Sequence, residues 1–212
     1  MKAGRVQEPA LEVGPRELRA RFAGGATARD LLHGDEGARS GAASLTAASV
    51  LVPIVDRTGG LTVLLTRRTA HLRAHSGQIS FPGGKAEPHD PSPEHTALRE
   101  AREEIGLEPA QVELLGRLSL YHTRTGFRIT PVVGIVSPPL ALQPDAHEVA
   151  EVFEVPLAFL LDPGNHQQHA REIDGRPAPY WAIPYRQHHI WGATAAMLVN
   201  LYRHLSAAPV RR

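Results

Sequence analysis

The feature that most constrains this chain is an amphipathic segment at residues 93–105, which has both a start and a stop signal. Ser92 followed by Pro93 is typical of a helix N-terminus, and Gly106 is typical of a helix C-terminus. Four apolar residues of the segment fall within one arc of about 100° on a helical wheel: Ala97, Leu98, Ala101 and Ile105. The pattern predicts a helix over 93–105 with one buried face.

A second arc of the same helix carries three carboxylates, those of Glu100, Glu103 and Glu104. The like-charged residues Glu100 and Glu104 lie four residues apart, which costs about 0.2–0.5 kcal/mol in an isolated helix. A divalent cation such as Mg²⁺ or Mn²⁺ reverses this cost, because it prefers carboxylate oxygens as ligands. Arg99 lies four residues before Glu103, so we expect these two side chains to form an ion pair. For the helix alone, a solvated acidic face is the alternative interpretation.

A pair of glycines, Gly83 and Gly84, ends the segment 81–84 shortly before the acidic helix. Glycine has no Cβ, so its backbone amide or carbonyl can come close to a metal ion or a phosphate. Such a pair alone usually marks a turn. Its combination with three carboxylates favours a site for a metal ion and a phosphate.

The composition excludes several classes of function. The chain has 212 residues, of which 42% are hydrophobic and 21% charged, which is ordinary for one globular domain with extensions. Its net charge of +1 argues against a general nucleic-acid binder, which needs a strong basic excess. The chain has no cysteine, so disulfides, zinc–thiolate sites and thiol nucleophiles are excluded.

No apolar run approaches the roughly 20 residues that a membrane-spanning helix needs. The first 21 residues mix charges every few positions and lack the apolar stretch of a secretory signal. We therefore expect a soluble, cytoplasmic protein that has no membrane partner.

The pattern of the chain changes at about residue 45. Residues 1–44 are expected to form a partly helical N-terminal extension, with short helices at 15–22 and 28–32. Residues 45–208 are expected to form the main domain. We predict strands at 47–55, 61–66, 111–121, 128–137, 147–155 and 179–185, and a final helix at 191–205. Strands mixed with two helices predict an α+β layered domain.

Residues 99–107 read Arg-Glu-Ala-Arg-Glu-Glu-Ile-Gly-Leu. They resemble the second half of the Nudix hydrolase signature, which is Arg-Glu, an apolar residue, any residue, Glu-Glu, any residue, Gly and an apolar residue. The first half of that signature has a Glu after a Gly and five residues, and seven more residues before the Arg. Counting from Gly84 gives Asp90 instead of Glu, with eight residues before Arg99. The early acid is therefore Asp90 or Glu87, and the sequence leaves both open.

The additional residue resembles one Nudix subgroup, the coenzyme A pyrophosphatases. A motif of that subgroup also lies upstream: Leu-Leu-Thr-Arg-Arg-Thr at 64–69, then Arg73, Gly77 and Phe-Pro-Gly-Gly at 81–84. Only Thr69 departs, since it replaces a Ser or Ala. Segments at 127–134, 148–157 and 190–195 resemble the same subgroup, so the resemblance covers about residues 45–205.

The resemblance implies an α/β/α sandwich with a mixed β-sheet and a small-molecule substrate. It implies hydrolysis of the diphosphate bond of coenzyme A, an acyl-CoA or oxidised CoA to adenosine 3′,5′-bisphosphate and 4′-phosphopantetheine or its derivative. Mg²⁺ or Mn²⁺ is the expected cofactor, and the protein is expected to be a monomer or a homodimer. Two alternatives stay open: a Nudix enzyme for ADP-ribose, NADH or a dinucleoside polyphosphate, and a non-catalytic ligand sensor of Nudix fold.

By the family pattern, Glu100 and Glu104 are the leading metal ligands, Glu103 assists them, and the Gly84 carbonyl is a further ligand. Glu103, Glu104 and Arg99 form the catalytic set of the signature. Glu148 and Glu151 are candidates for the general base outside the signature. A surface role is favoured for Glu151, and Glu104 is an alternative base, because burial raises the pKa of a carboxyl group.

The basic stretch 67–75 directly precedes the glycine segment. It contains the predicted substrate-binding residues Arg67, Arg68, Arg73 and His75, to which Gly83 is added. Arginine suits phosphate through its forked donors, and coenzyme A carries a 3′-phosphate besides its diphosphate. A solvated basic loop is the alternative interpretation.

Overall fold

The computed structural model describes residues 11, 13–24, 31–35, 45–70, 77–173 and 175–207. Its helices are α1 (Pro15–Ala23), α2 (Pro93–Ile105), α3 (Leu157–Leu160) and α4 (Ala193–Ser206). Its strands are β1 (Thr46–Arg57), β2 (Gly60–Arg68), β3 (Ile79–Ser80), β4 (Gly83–Lys85), β5 (Val112–Arg117), β6 (Tyr121–His122), β7 (Phe127–Val136), β8 (Val149–Pro156), β9 (Gln167–Ile173), β10 (Arg176–Tyr185) and β11 (His188–Trp191). Across these ranges, no helix combines the length and the apolar character that crossing a membrane requires.

An eight-stranded mixed sheet forms the centre of the main domain. Its strands follow the order β3-β2-β1-β7-β5, while β4 pairs with β1, β6 with β7 and β8 with β2. The hairpin of β1 and β2 is antiparallel, whereas β1 and β7 run parallel from the pair Thr46 and Phe127 to the pair Val55 and Val136. A separate antiparallel sheet has the order β11-β10-β9.

Side chains along β2 alternate between two cores. Leu61, Val63 and Leu65 lie in a core with α4 and the three-stranded sheet. Leu64 lies in the other core, together with the apolar stripe of α2. Helices therefore cover both faces of the mixed sheet, which confirms the predicted α+β fold and its α/β/α layers.

Several element boundaries differ from those predicted, and two of the differences change the assignment of a segment. The strand predicted at 111–121 is divided into β5 and β6, and the pairing of β5 with β7 is irregular between Leu114 and Gly116. The final helix begins at Ala193, because Trp191 still belongs to β11 and pairs with β10.

The described segment 13–24, which precedes β1, packs on the rest of the fold. Helix α1 covers the predicted helix at 15–22, and its Leu18 is fully buried in the core with α4. Arg19 of α1 donates two hydrogen bonds to Glu113 of β5, at 2.8 and 2.7 Å.

The described segment 31–35 also contacts the rest of the fold. Residues 28–30 of the helix predicted at 28–32 lie outside the described residues, and the last two residues of that range are not helical. The Asn200 side chain in α4 holds the Leu32 backbone by accepting from its N–H at 2.8 Å and donating to its carbonyl at 2.7 Å.

Candidate active site

Helix α2 begins and ends at its capping residues. The Ser92 hydroxyl accepts a hydrogen bond from the His95 amide at 3.2 Å, and Gly106 ends the helix with a left-handed φ of 68°. Three residues of the predicted apolar stripe are fully buried: Ala97, Ala101 and Ile105. The predicted helix is thus confirmed, and its register places the carboxylates beside the glycine segment.

Strand β4 brings the glycine backbone against the acidic face of α2. The Gly83 N–H donates to Glu104 Oε2 at 3.1 Å. A Cβ at Gly84 would lie 2.5 Å from the Glu100 carboxylate, and a Cβ at Gly83 would lie 2.5 Å from the Ser49 carbonyl oxygen. Residues without a side chain are therefore required for this close approach of backbone to carboxylates.

Asp90 is the buried centre of a hydrogen-bonded cluster. Arg99 donates to both of its carboxylate oxygens, at 3.2 Å from Nε and 3.0 Å from Nη2. The Thr96 hydroxyl and the Glu87 amide each donate to it at 2.9 Å. These bonds, that from Arg99 above all, hold the pKa of Asp90 well below its usual range. We call these residues the Asp90 cluster; only the spacing from Gly84 pointed to Asp90 in the sequence.

Arg99 connects the Asp90 cluster to the acidic face of α2. Its Nη1 donates to Glu103 Oε2 at 2.9 Å, which confirms the expected ion pair. Its Nη2 lies 3.0 Å from Glu100 Oε1 and donates to the Lys85 carbonyl at 3.0 Å. The Arg99 side chain is only 14% exposed, so it positions both carboxylates from within the fold.

The carboxylates of Glu104 and Glu100 carry charge that the nearby arginines, Arg68 and Arg99, offset only in part. Burial raises the pKa of Glu104 to about 7, although the hydrogen bond from Gly83 opposes the rise. The nearby carboxylates of Glu100 and Glu148 raise it further. Burial also raises the pKa of Glu100. A bound cation or a proton would relieve this repulsion.

Glu148 approaches these two carboxylates from the loop before β8. Arg68 lies between, with Nη2 3.6 Å from Glu148 and Nη1 3.4 Å from Glu104. The Glu148 side chain is 47% exposed, whereas that of Glu104 is 6% exposed. Thr69 anchors the loop, since its amide donates to the Glu148 carbonyl and its hydroxyl to the His147 carbonyl, both at 2.9 Å. We call Glu100, Glu104 and Glu148 the acidic site.

The acidic site has the donors and the charge that a divalent cation requires. Its side chains offer carboxylate oxygens, and the contact between Gly84 and Glu100 leaves no room for a Cβ. Across the described ranges, no three Asp, Glu, His or Cys side chains form a ready-made metal site. Carboxylate oxygens are the ligands that Mg²⁺ and Mn²⁺ prefer, so the chemistry of these side chains fits a divalent cation.

The model of the NUDIX domain family matches residues 45–176, which is more than half of the chain. The chain belongs to the Nudix family. As a Nudix hydrolase it cleaves the pyrophosphate linkage of small-molecule substrates, and the family generally uses divalent metal ions.

Two relatives of this Nudix hydrolase carry the name uncharacterized Nudix hydrolase NudL. The protein from Photorhabdus laumondii is 42% identical over 159 residues, which are 73% of this chain and 82% of the relative. The protein from Escherichia coli is 42% identical over 165 residues, which are 76% of this chain and 84% of the relative.

Among solved structures, an Ap4A hydrolase from C. elegans is 20% identical with a TM-score of 0.46, covering 52% of this chain and 80% of that one. The Nudix hydrolase RenU from M. smegmatis is 25% identical with a TM-score of 0.46, covering 57% of this chain and 77% of that one.

The two consecutive arginines of this Nudix hydrolase point to opposite faces of the mixed sheet. Strand β2 continues through Arg68, beyond the predicted 61–66, so neighbouring side chains alternate. Arg68 reaches Glu104, while Arg67 donates to Glu151 at 2.9 Å. The structure thus separates two residues that the sequence placed in one basic loop. The other two basic residues of that prediction, Arg73 and His75, lie outside the described residues.

Glu151, the second candidate for the general base, lies on β8 away from the acidic site. It binds Arg67, and its Oε1 lies 3.1 Å from Nε2 of His188 in β11. His188 is buried and stacks on Phe153 with ring centroids 3.7 Å apart. Glu151 therefore connects the two sheets.

Proposed function

We propose that this Nudix hydrolase is a coenzyme A pyrophosphatase, which cleaves coenzyme A, acyl-CoA or oxidised CoA. The products are adenosine 3′,5′-bisphosphate and 4′-phosphopantetheine or its derivative. The observation that carries the proposal is the contact of Arg68 with both Glu104 and Glu148. Arg68 belongs to the motif that resembles this subgroup, so the motif forms part of the acidic site.

Mg²⁺ or Mn²⁺ is the proposed cofactor. Glu100 and Glu104 are the proposed ligands, with Glu103 and the Gly84 carbonyl assisting. When bound, such an ion neutralises the diphosphate and lowers the pKa of the attacking water. Arg99 is proposed to hold Glu100 and Glu103 in position through the contacts described above.

Glu148 is the proposed general base. Its side chain is 47% exposed and adjoins buried Glu104, so water can reach a carboxylate at the edge of the acidic site. Glu104 is the alternative base, because its raised pKa lies near neutral pH.

The proposed substrate contacts are Arg68 and the backbone of Gly83, with Arg73 and His75 as further predicted contacts, whereas Glu151 holds Arg67 on the opposite face of the sheet. Arg68 is a cation beside the acidic site, since it lies 3.4 Å from Glu104. Hydrolysis of an anionic diphosphate requires such cations to offset repulsion by the carboxylates.

We propose residues 45–208 as the catalytic domain and residues 1–44 as an extension, whose described parts dock on that domain through α1 and Leu32. A monomer or homodimer, a cytoplasmic location and the absence of a nucleic-acid partner stay predictions.

A substrate panel tests the proposal. The full chain is assayed with Mg²⁺, with Mn²⁺ and with EDTA against coenzyme A, 3′-dephospho-coenzyme A, ADP-ribose, NADH and a dinucleoside polyphosphate, and products are identified by mass. We expect metal-dependent release of adenosine 3′,5′-bisphosphate from coenzyme A, and slower cleavage of the dephospho compound. Equal cleavage of both would show that the 3′-phosphate is not recognised.

The panel also separates the alternatives. Faster cleavage of ADP-ribose, NADH or a dinucleoside polyphosphate than of coenzyme A would assign the enzyme to another Nudix substrate. No cleavage of any compound by folded, metal-supplied protein would indicate a ligand sensor.

A further inference from the structure

A cavity of about 310 Å³ lies between the three-stranded sheet and the turn at Thr123–Thr125. Trp191 of β11 and Tyr180 of β10 form part of its wall, and Arg171 of β9 and Arg124 of the turn also line it. The cavity therefore combines aromatic surface with positive charge.

The cavity is lined by segments that lie outside the matched NUDIX domain, 45–176, as well as by residues within it. Asp35 comes from the N-terminal extension, and Tyr180 and Trp191 come from the part of the chain after residue 176. Additions before and after the shared domain thus meet at one concave surface. Such a place is where a family member can acquire its own ligand specificity.

Asp35 supports the wall of the cavity. Its carboxylate accepts a hydrogen bond from the Tyr121 hydroxyl at 2.7 Å and one from the Arg124 amide at 3.0 Å. These bonds fix the turn that carries Arg124. The Asp35 carboxylate is therefore hydrogen-bonded to groups of the protein itself.

The cavity lies at the same end of the mixed sheet as the acidic site. The turn at Thr123–Thr125 leads into β7, whose first residue pairs with Thr46 of β1, and Ser49 of β1 pairs with Gly84. Gln78 of the lining accepts a hydrogen bond at its carbonyl from the Arg68 amide at 3.0 Å. Arg68 thus joins the two regions: its backbone bonds to a residue of the lining, and its side chain reaches Glu104.

The wall chemistry matches a planar base that carries an anionic group. The guanidinium of Arg171 lies 5.4 Å from the ring centroid of Trp191, and the Tyr180 ring meets that indole edge-on at 5.7 Å. Aromatic side chains stack on nucleobases, and arginine pairs with phosphate.

We propose that this cavity binds the nucleoside phosphate half of the substrate, with its base on the Trp191 wall and a phosphate at Arg171. The proposal rests on the proposed function, because it assigns one half of a nucleoside diphosphate substrate to a cavity at the same end of the mixed sheet as the acidic site. It names Trp191 and Arg171 as residues that determine specificity.

A binding experiment tests the cavity without requiring hydrolysis. The chain has two tryptophans, so a Trp181→Phe variant of the full chain reports on Trp191 alone. Trp181 packs against the core, and phenylalanine keeps an aromatic ring there. We expect adenosine 5′-monophosphate and adenosine 3′,5′-bisphosphate to quench the fluorescence saturably, and pyrophosphate to leave it unchanged. Quenching by neither nucleotide would overturn the proposal.

Variants then test each contact. Trp191→Ala is expected to raise the KM for the cleaved nucleoside diphosphate substrate roughly tenfold or more, with little change in kcat. Trp191→Phe keeps an aromatic ring, so its KM is expected to stay close to that of the unchanged protein. Arg171→Ala is expected to weaken binding of adenosine 3′,5′-bisphosphate, whereas Arg176→Ala, on the same hairpin but outside the cavity lining, is the matched control. Equal effects of the two arginine variants would overturn the role of Arg171.

Competition distinguishes this proposal from the proposed function. Adenosine 3′,5′-bisphosphate that quenches Trp191 is expected to inhibit hydrolysis competitively. Quenching without competition would show that the cavity binds a separate nucleotide, which contradicts the proposal and leaves the hydrolase intact. Saturable quenching in a protein that cleaves no diphosphate would reject the proposed function alone.

Discussion

Helix α2 contributes to two ionic clusters that differ in how far their charge is neutralised. In the Asp90 cluster, a buried carboxylate receives hydrogen bonds from Arg99, Thr96 and the Glu87 amide, and its pKa is lowered. In the acidic site, burial raises the pKa of Glu104 to about 7. Residues of α2 thus satisfy one carboxylate, that of Asp90 in the preceding loop, while the helix itself carries another, that of Glu104, which burial leaves short of positive charge.

The difference supports the proposal that the Asp90 cluster is a scaffold and that the acidic site binds a ligand. A buried carboxylate with several donors stabilises the fold by itself, whereas a desolvated carboxylate beside other carboxylates destabilises it until a cation binds. Perturbed carboxylates of the second kind concentrate at functional sites. Changes in the Asp90 cluster should therefore mainly reduce stability, and changes in the acidic site should mainly reduce activity.

Loss of Arg99 is expected to have the largest effect. Arg99→Ala leaves the Asp90 carboxylate, which is 1% exposed, without its main donor, and breaking a buried pair costs about 3–5 kcal/mol. Urea denaturation measures the free energy of unfolding. Arg102→Ala is the matched control, because this arginine is 63% exposed and lies 3.4 Å from Glu108, and we expect it to change stability by less than about 0.5 kcal/mol. Equal losses in both variants would contradict the scaffold role.

Glu104→Gln is expected to remove activity while the protein stays folded. We expect kcat/KM to fall at least about a hundredfold, because removing a residue that only supports a metal ligand already costs about 10- to 100-fold. Circular dichroism and steady-state kinetics with Mg²⁺ measure the two effects. Glu108→Gln is the control, since this carboxylate is 56% exposed and lies beyond the helix. Near-normal activity in Glu104→Gln would remove this residue from the metal site.

The pH dependence of stability sharpens the comparison, because the stability that each cluster contributes changes with pH in the opposite direction. Glu104 has a higher pKa when folded, so its contribution is full below about pH 4.5 and is lost as the pH rises through 7. Asp90 has a lower pKa when folded, so its contribution is present above about pH 3.8 and is lost as the pH falls below that value.

In EDTA we therefore expect the free energy of unfolding to fall by about 1–3 kcal/mol between pH 4.5 and pH 7 on account of Glu104. Mg²⁺ at a hundredfold excess over its Kd should restore about 2.7 kcal/mol at pH 7. Urea denaturation from pH 4 to pH 8 measures both. The free energy of unfolding of Glu104→Gln should lack this decrease between pH 4.5 and pH 7. An identical pH dependence in the variant would assign the decrease to other groups.

The sequence was sufficient for the parts of the fold that local signals determine. Helix α2 has the predicted bounds 93–105, because Ser92 and Gly106 cap it and its apolar stripe has a clear period. The role of Asp90 was not predictable to the same degree. It depends on the position of Arg99 nine residues later and on a loop whose path brings the Glu87 amide to the same carboxylate.

The sequence was insufficient where pairing partners determine the structure. Strand β9 at Gln167–Ile173 is exposed along almost its whole length, so no alternation marks it, and it is held by its pairing with β10. The spacing of Arg67 and Arg68 predicts that both lie in one loop, but strand pairing with β8 carries β2 further and divides them. The short strands β3 and β4 likewise form through their pairing with β2 and β1.

Gly84→Ala is expected to have an intermediate effect on the acidic site. The added Cβ would meet the Glu100 carboxylate, which is the far end of a flexible side chain, so stability should change by less than about 1 kcal/mol. Displacement of this carboxylate should reduce kcat/KM by about 10- to 100-fold. Gly59→Ala is the control, because nothing lies within 4 Å of a Cβ there. Unchanged activity in Gly84→Ala would show that close packing of Glu100 is not required.

The smallest expected effect separates Arg68 from Arg67. Arg68 lies 3.4 Å from Glu104 and 3.6 Å from Glu148, so Arg68→Ala should raise the KM about tenfold, as expected for one lost charged hydrogen bond. It should also move the acidic limb of the pH–rate profile to higher pH, because Arg68 lowers the pKa of Glu104. Arg67→Ala should change the KM by about twofold or less, since Glu151 holds this arginine on the opposite face.

Steady-state kinetics from pH 5 to pH 9 measure both parameters, and each arginine variant is the control of the other. Equal increases in KM with unshifted pH profiles would mean that the consecutive arginines act together as one phosphate-binding pair. In that case substrate binding, and not the alternation of β2, would determine where Arg67 lies in the working enzyme.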